Sequence, residues 1–118
     1  CALPILLAAV CAYLTFPDVW ASRLVHHFVD NVAALKGLVK GGSSRPDSAR
    51  LINEYSLAVL RLSCRPWLNF VYSEDNLADL PSRAAFQLLR RLRAVRRKGQ
   101  LPTLATWLRP RAFFEGRV

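Results

Sequence analysis

The chain has 118 residues, 53% of them hydrophobic, enough for one domain around one core. Its three cysteines form no CxxC and have no histidine at zinc-ligand spacing, and their odd number speaks against a disulfide framework. The formal charge of +9 sits entirely in the last third. Residues 1–82 hold seven Lys/Arg and seven Asp/Glu, whereas residues 83–118 hold ten Lys/Arg against Glu115.

A neutral body with a basic end points to a polyanionic partner, nucleic acid first and an anionic membrane surface second. The competing interpretation is a solvated helix face followed by a linker. The cysteine usage fits a reducing, intracellular compartment, cytoplasmic or nuclear. A chain opening on Cys1 without Met reads as a fragment.

Residues 1–17, CALPILLAAVCAYLTFP, carry no charged side chain. The run is shorter than the roughly 20 residues of a membrane span and lacks the basic flank of a signal peptide. Residues 5–15 read as a helix, apolar nearly all round and so buried on most sides. Membrane anchoring by residues 1–17 is an alternative, but stable membrane association is not favoured. Residues 23–29, RLVHHFV, form a short strand. Asp30 or Asn31 caps a helix at 32–39. Gly41-Gly42-Ser43-Ser44 is a loop, and Pro46 opens a helix at about 47–62. Residues 67–72, WLNFVY, are the second strand. A last helix at about 83–97 carries an apolar stripe of Ala85, Leu88, Leu89, Leu92 and Val95. Residues 99–118 form an irregular basic tail or linker whose Trp107, Phe113 and Phe114 want a partner surface.

Helical connections between the strands imply parallel pairing and an α/β layer fold. In such folds ligands gather at the carboxyl ends of strands. Asp30 follows the first strand, and Glu74, Asp75 and Asp79 follow the second. Carboxylates gathered there suit a hard cation such as Mg²⁺, and paired ions can clamp a phosphodiester. Each acid also has a plainer interpretation: Asp30 and Asp79 as helix caps, Glu74 and Asp75 as solvated loop charges. The adjacent His26 and His27 point to opposite strand faces and read as core or edge residues. Cys11 and Cys64 read as small apolar residues, Ser82 as a cap, and Trp67 and Phe70 as core.

FVDNVAALKGLVKGGSSRPDSARLINEY, followed by WLNFVYSEDNLADLPSR, resembles the ribonuclease H-like region attached to reverse transcriptases of retroelements. The paired halves D-N-x-A-A-L with K-G-x-S, and S-E-x-N-x-A-D-x-P-S-R, span roughly residues 5–90. The resemblance implies a partial ribonuclease H-like fold over residues 1–98. Two parallel strands would pack with four helices, and the family's first three strands would be missing. It implies catalytic, metal-binding carboxylates at Asp30 and Asp79, supported by Asn31, Glu74 and Asn76. It also implies two Mg²⁺ (or Mn²⁺) ions and hydrolysis of RNA in RNA–DNA hybrids. Arg90, Arg93, Arg97 and Lys98 would contact nucleic acid. An upstream polymerase region of the same polyprotein would be a further partner. The sequence departs from the family where its first helix carries a Glu, because ILLAAVCAYL has no acid. A non-catalytic nucleic-acid-binding or structural remnant is the alternative.

Overall fold

The computed structural model describes residues 2–81 and 86–102. Their elements run α1 (Leu3–Thr15), α2 (Pro17–Trp20), β1 (Leu24–Val29), α3 (Val32–Lys40), α4 (Pro46–Leu62), β2 (Arg65–Phe70) and α5 (Phe86–Arg91). Two single 3-10 turns, Ser73–Asp75 and Leu77–Asp79, separate β2 from α5. The expected α/β class holds among the described residues: β1 and β2 pair in parallel as a two-stranded sheet with helices on one face.

Local chemistry sets these bounds. Pro4 fits the first turn of α1, where a missing N–H costs nothing. Asn31, not Asp30, is the N-cap of α3; its Oδ1 accepts from the Ala34 N–H at 2.9 Å. Gly41 ends that helix at φ +80°, a conformation glycine adopts without strain. Ser63 ends α4 at φ 52°, with the Cys64 N–H reaching back to Val59 and the Ser63 N–H to Leu60. That is a Schellman closure built on serine.

The core lies between α1, α3, α4 and one face of the sheet. Leu6, Ala9, Val10 and Tyr13 follow helical spacing on α1; Leu51, Ile52, Tyr55 and Ala58 do so on α4. Ala34, Leu38, Val25, Val29 and Cys64 close it. Full burial of Leu6, Val10 or Ile52 is worth about 1.5–3 kcal/mol each. As expected, α1 is buried or half-buried on most sides; Pro4, Leu7 and Ala8 alone within it are exposed, on its outer face. No helix among the described residues is long and apolar enough to cross a membrane.

Three further expectations change. The second strand starts two residues early, because the ladder opens where the Arg65 N–H donates to the Arg23 carbonyl at 2.8 Å. This parity turns the Pro66 nitrogen toward the open edge, where no donor is needed. Trp67 is exposed rather than core, because its register partner is His26, on the face away from the helices; Phe70 is also exposed. The long basic helix shrinks, among the described residues, to Phe86–Arg91. Arg93 stands at φ 56°, while the Ala94 and Arg93 N–H groups close onto Leu89 and Arg90, which ends the helix. Leu88, Leu92 and Val95 are consequently exposed. Ala85 and Ser82 lie outside the described residues, as do Trp107, Phe113 and Phe114.

Candidate functional site at the carboxyl ends of the strands

Parallel pairing brings the two acid-bearing segments to one edge. Val29 pairs with Phe70, so both strands finish together. The Val71 N–H donates to the Val29 carbonyl at 3.1 Å and carries the ladder one step further. Asp30 follows immediately, half-buried, and its carboxylate is left unused by the helix because Asn31 does the capping.

The loop after β2 reaches back to it. Asn76 Nδ2 donates to Asp30 Oδ2 at 3.1 Å, joining residues 46 apart in sequence. The same side chain accepts from the Ala78 N–H through Oδ1 at 3.1 Å, which shapes the second 3-10 turn. The Asp79 N–H in turn donates to the Asn76 carbonyl at 3.1 Å. Asp79 is thus tied by its backbone to the residue whose side chain holds Asp30. The side chain of Asp79 is half-buried. Glu74 and Asp75 occupy the first turn and point into solvent. Phe70 and Tyr72 flank the loop as an edge-to-face ring pair at 5.3 Å.

The candidate donors here are the carboxylates of Asp30 and Asp79. Asn76 occupies one of about four acceptor positions on Asp30, which leaves room for a hard cation. Two carboxylates plus water match the usual Mg²⁺ habit. Among the described residues no group of three or more His, Cys, Asp or Glu could hold a metal ion. A cleft of about 460 Å³ opens beside Asn31, between α1, α3 and the start of α4, with Ser43, Arg45, Asp47 and Ser48 on its polar side.

The basic residues are not brought together as a stripe. Arg90 lies on α5, Arg93 in its closing turn, and Lys98 in the extended stretch beyond; all are exposed. Arg97 has a partner within the chain. Its guanidinium forks onto Asp18 at 2.7 and 3.3 Å, donates to the Thr15 carbonyl at 3.3 Å, and lies 4.8 Å from the Phe16 ring centroid. The bond from Arg97 holds the Asp18 carboxyl below its ordinary range. This corner feeds the start of β1, whereas the acids follow its end, about 20 Å of strand away. Both partners are exposed, so the pair positions the segment more than it stabilises the fold.

Sequence reasoning missed a buried polar cluster behind the sheet. The Tyr13 hydroxyl lies 3.4 Å from both His27 Nδ1 and the Tyr55 hydroxyl. Burial lowers the His27 pKa and raises those of Tyr13 and Tyr55. Tyr55 stands at helical spacing from Leu51 and Ala58 on α4, but only the fold shows which residues meet.

No known protein family, curated protein or solved structure matches the chain. The class that the fold defines is an α/β chain with a two-stranded parallel sheet, with Asp30 following its first strand.

Proposed function

We propose that the chain is the C-terminal portion of a ribonuclease H-like domain of a retroelement reverse transcriptase, whose reaction is metal-dependent hydrolysis of RNA in RNA–DNA hybrids. The observation that supports this reading most is the Asn76–Asp30 hydrogen bond. It joins the D-N half of the sequence signature to the S-E-D-N-L-A-D half, at the sheet edge where α/β folds place ligands.

Asp30 and Asp79 would hold Mg²⁺ or Mn²⁺, which would supply an activated water and charge neutralisation at the scissile phosphate. Asn76 would orient Asp30, Asn31 would fix the start of α3 beneath it, and Glu74 would add negative potential at the mouth. Arg90, Arg93 and Lys98 would contact the backbone of the hybrid, giving affinity that falls steeply with salt. A second reading, a non-catalytic nucleic-acid-binding remnant, is favoured by the acid-free α1 and by the small donor set.

Cleavage of an end-labelled RNA–DNA hybrid, with and without Mg²⁺, separates the two. The nuclease reading expects incision of the RNA strand that requires Mg²⁺ and is lost in Asp30→Asn and Asp79→Asn. No incision, with salt-sensitive binding retained, would leave the remnant.

A further inference from the structure

We propose that the sheet face turned away from the helices is a stacking platform for single-stranded nucleic acid. The register pairs Leu24 with Arg65, His26 with Trp67 and Phe28 with Asn69. Partners in a parallel ladder share a face, and Val25 and Val29 occupy the other one in the core. Leu24 is 68% exposed, Phe28 55% and Trp67 63%. Two aromatic rings therefore stand in water on a rigid, hydrogen-bonded base.

Their spacing suits consecutive bases. Phe28 and Trp67 lie on the diagonal of the ladder, about 7–8 Å apart at the backbone, a step that one nucleotide of an extended strand can span. Base stacking on such rings tolerates any sequence, because every base has a π-face. The rest of the face suits a phosphate backbone. Arg65 is exposed at its leading end, His26 adjoins Trp67, and Asn69 adjoins Phe28. None of the six paired positions is acidic; the nearest carboxylate is Asp30, beyond the strand end. An apolar protein partner fits less well, since it would bury Arg65, His26 and Asn69 without assured partners. The platform uses none of the residues assigned to the nuclease reading, so the two stand or fall separately.

Fluorescence anisotropy of the full chain with labelled oligouridylate and oligothymidylate, each of about ten nucleotides, tests the platform. Trp67→Ala and Phe28→Ala should each weaken binding roughly tenfold or more, while Trp67→Phe keeps most of it. Arg65→Gln should weaken binding and flatten its salt dependence. Binding of the RNA–DNA hybrid should not respond to Trp67→Ala. Unchanged single-strand binding in Trp67→Ala would overturn the proposal. So would loss of fold in that variant by circular dichroism, because an exposed ring does not hold a fold together. A dimer in sedimentation that dissociates on Trp67→Arg would overturn it as well, by assigning the face to a second copy of the chain.

Discussion

Replacing Asn76 with Asp should turn the strongest link at the candidate site into a repulsion. In the native chain Asn76 Nδ2 donates to Asp30 Oδ2 at 3.1 Å. The substitution removes that donor and sets a second carboxylate against the first, while an aspartate oxygen can still accept from the Ala78 N–H as Oδ1 does. Two like charges relaxed to about 4 Å repel by about 1 kcal/mol in water and about 4 kcal/mol at the effective dielectric of a half-buried site. Loss of the charge-assisted hydrogen bond adds about 1.5–3 kcal/mol. For a chain of this size each kcal/mol lowers Tm by about 3–6 °C. Thermal unfolding by circular dichroism should thus place Asn76→Asp at least 5 °C below the native chain at pH 7 and low salt, by the same scaling. The gap should narrow with added Mg²⁺. Asn76→Ala, which removes the link without adding charge, should sit between the two, with a gap to the native chain that Mg²⁺ does not narrow. Equal melting of Asn76→Asp and the native chain, or a gap indifferent to Mg²⁺, would show that the two side chains do not meet.

Leu6→Ala empties a fully buried position between α1 and α4 and should cost about 2–5 kcal/mol in urea unfolding; a cost near zero would mean α1 does not pack there. Burial holds the His27 pKa below its ordinary value of 6.5, so the unfolded chain binds the proton first. Stability is full above about pH 6.5 and declines as pH falls from there toward the native-state pKa. His27→Gln should flatten this part of the profile. Burial shifts Glu54 upward, which acts in the opposite sense as pH falls, so the difference between the native chain and His27→Gln isolates the histidine. Asp18→Asn should change global stability by less than about 1 kcal/mol. It should nevertheless speed hydrogen exchange at the Gln100 amide, which donates to Thr15 Oγ1 at 2.8 Å beside Arg97.

The order of elements was legible because each signal was local. Asn31 and Gly41 mark α3, Pro46 marks α4, and aromatic and β-branched residues mark the strands. Parallel pairing followed from the helical connection, and the acids then fell at one edge by topology alone. What stayed hidden depends on contacts between distant residues. The face of β2 that Trp67 occupies is fixed by its register against β1, and nothing local in WLNFVY sets that register. The apolar stripe at 85–95 promised a long helix, but its closure at Arg93 rests on a positive φ in a residue that rarely takes one. Asp30 was ambiguous between cap and ligand because its neighbour Asn31 caps equally well. The structure gives the cap to Asn31, whose side chain holds the amide of Ala34.

Paramagnetic broadening by Mn²⁺, followed residue by residue in an amide NMR spectrum, most directly tests the claim that Asp30 and Asp79 share one cation site. The account predicts that substoichiometric Mn²⁺ broadens the amides of residues 30–31 and 76–79 together, that excess Mg²⁺ reverses it, and that Asp30→Asn weakens it at both segments. Broadening confined to one segment, or centred on Glu74 and Asp75 and indifferent to Asp30→Asn, would contradict the shared site and the ribonuclease H-like reading built on it.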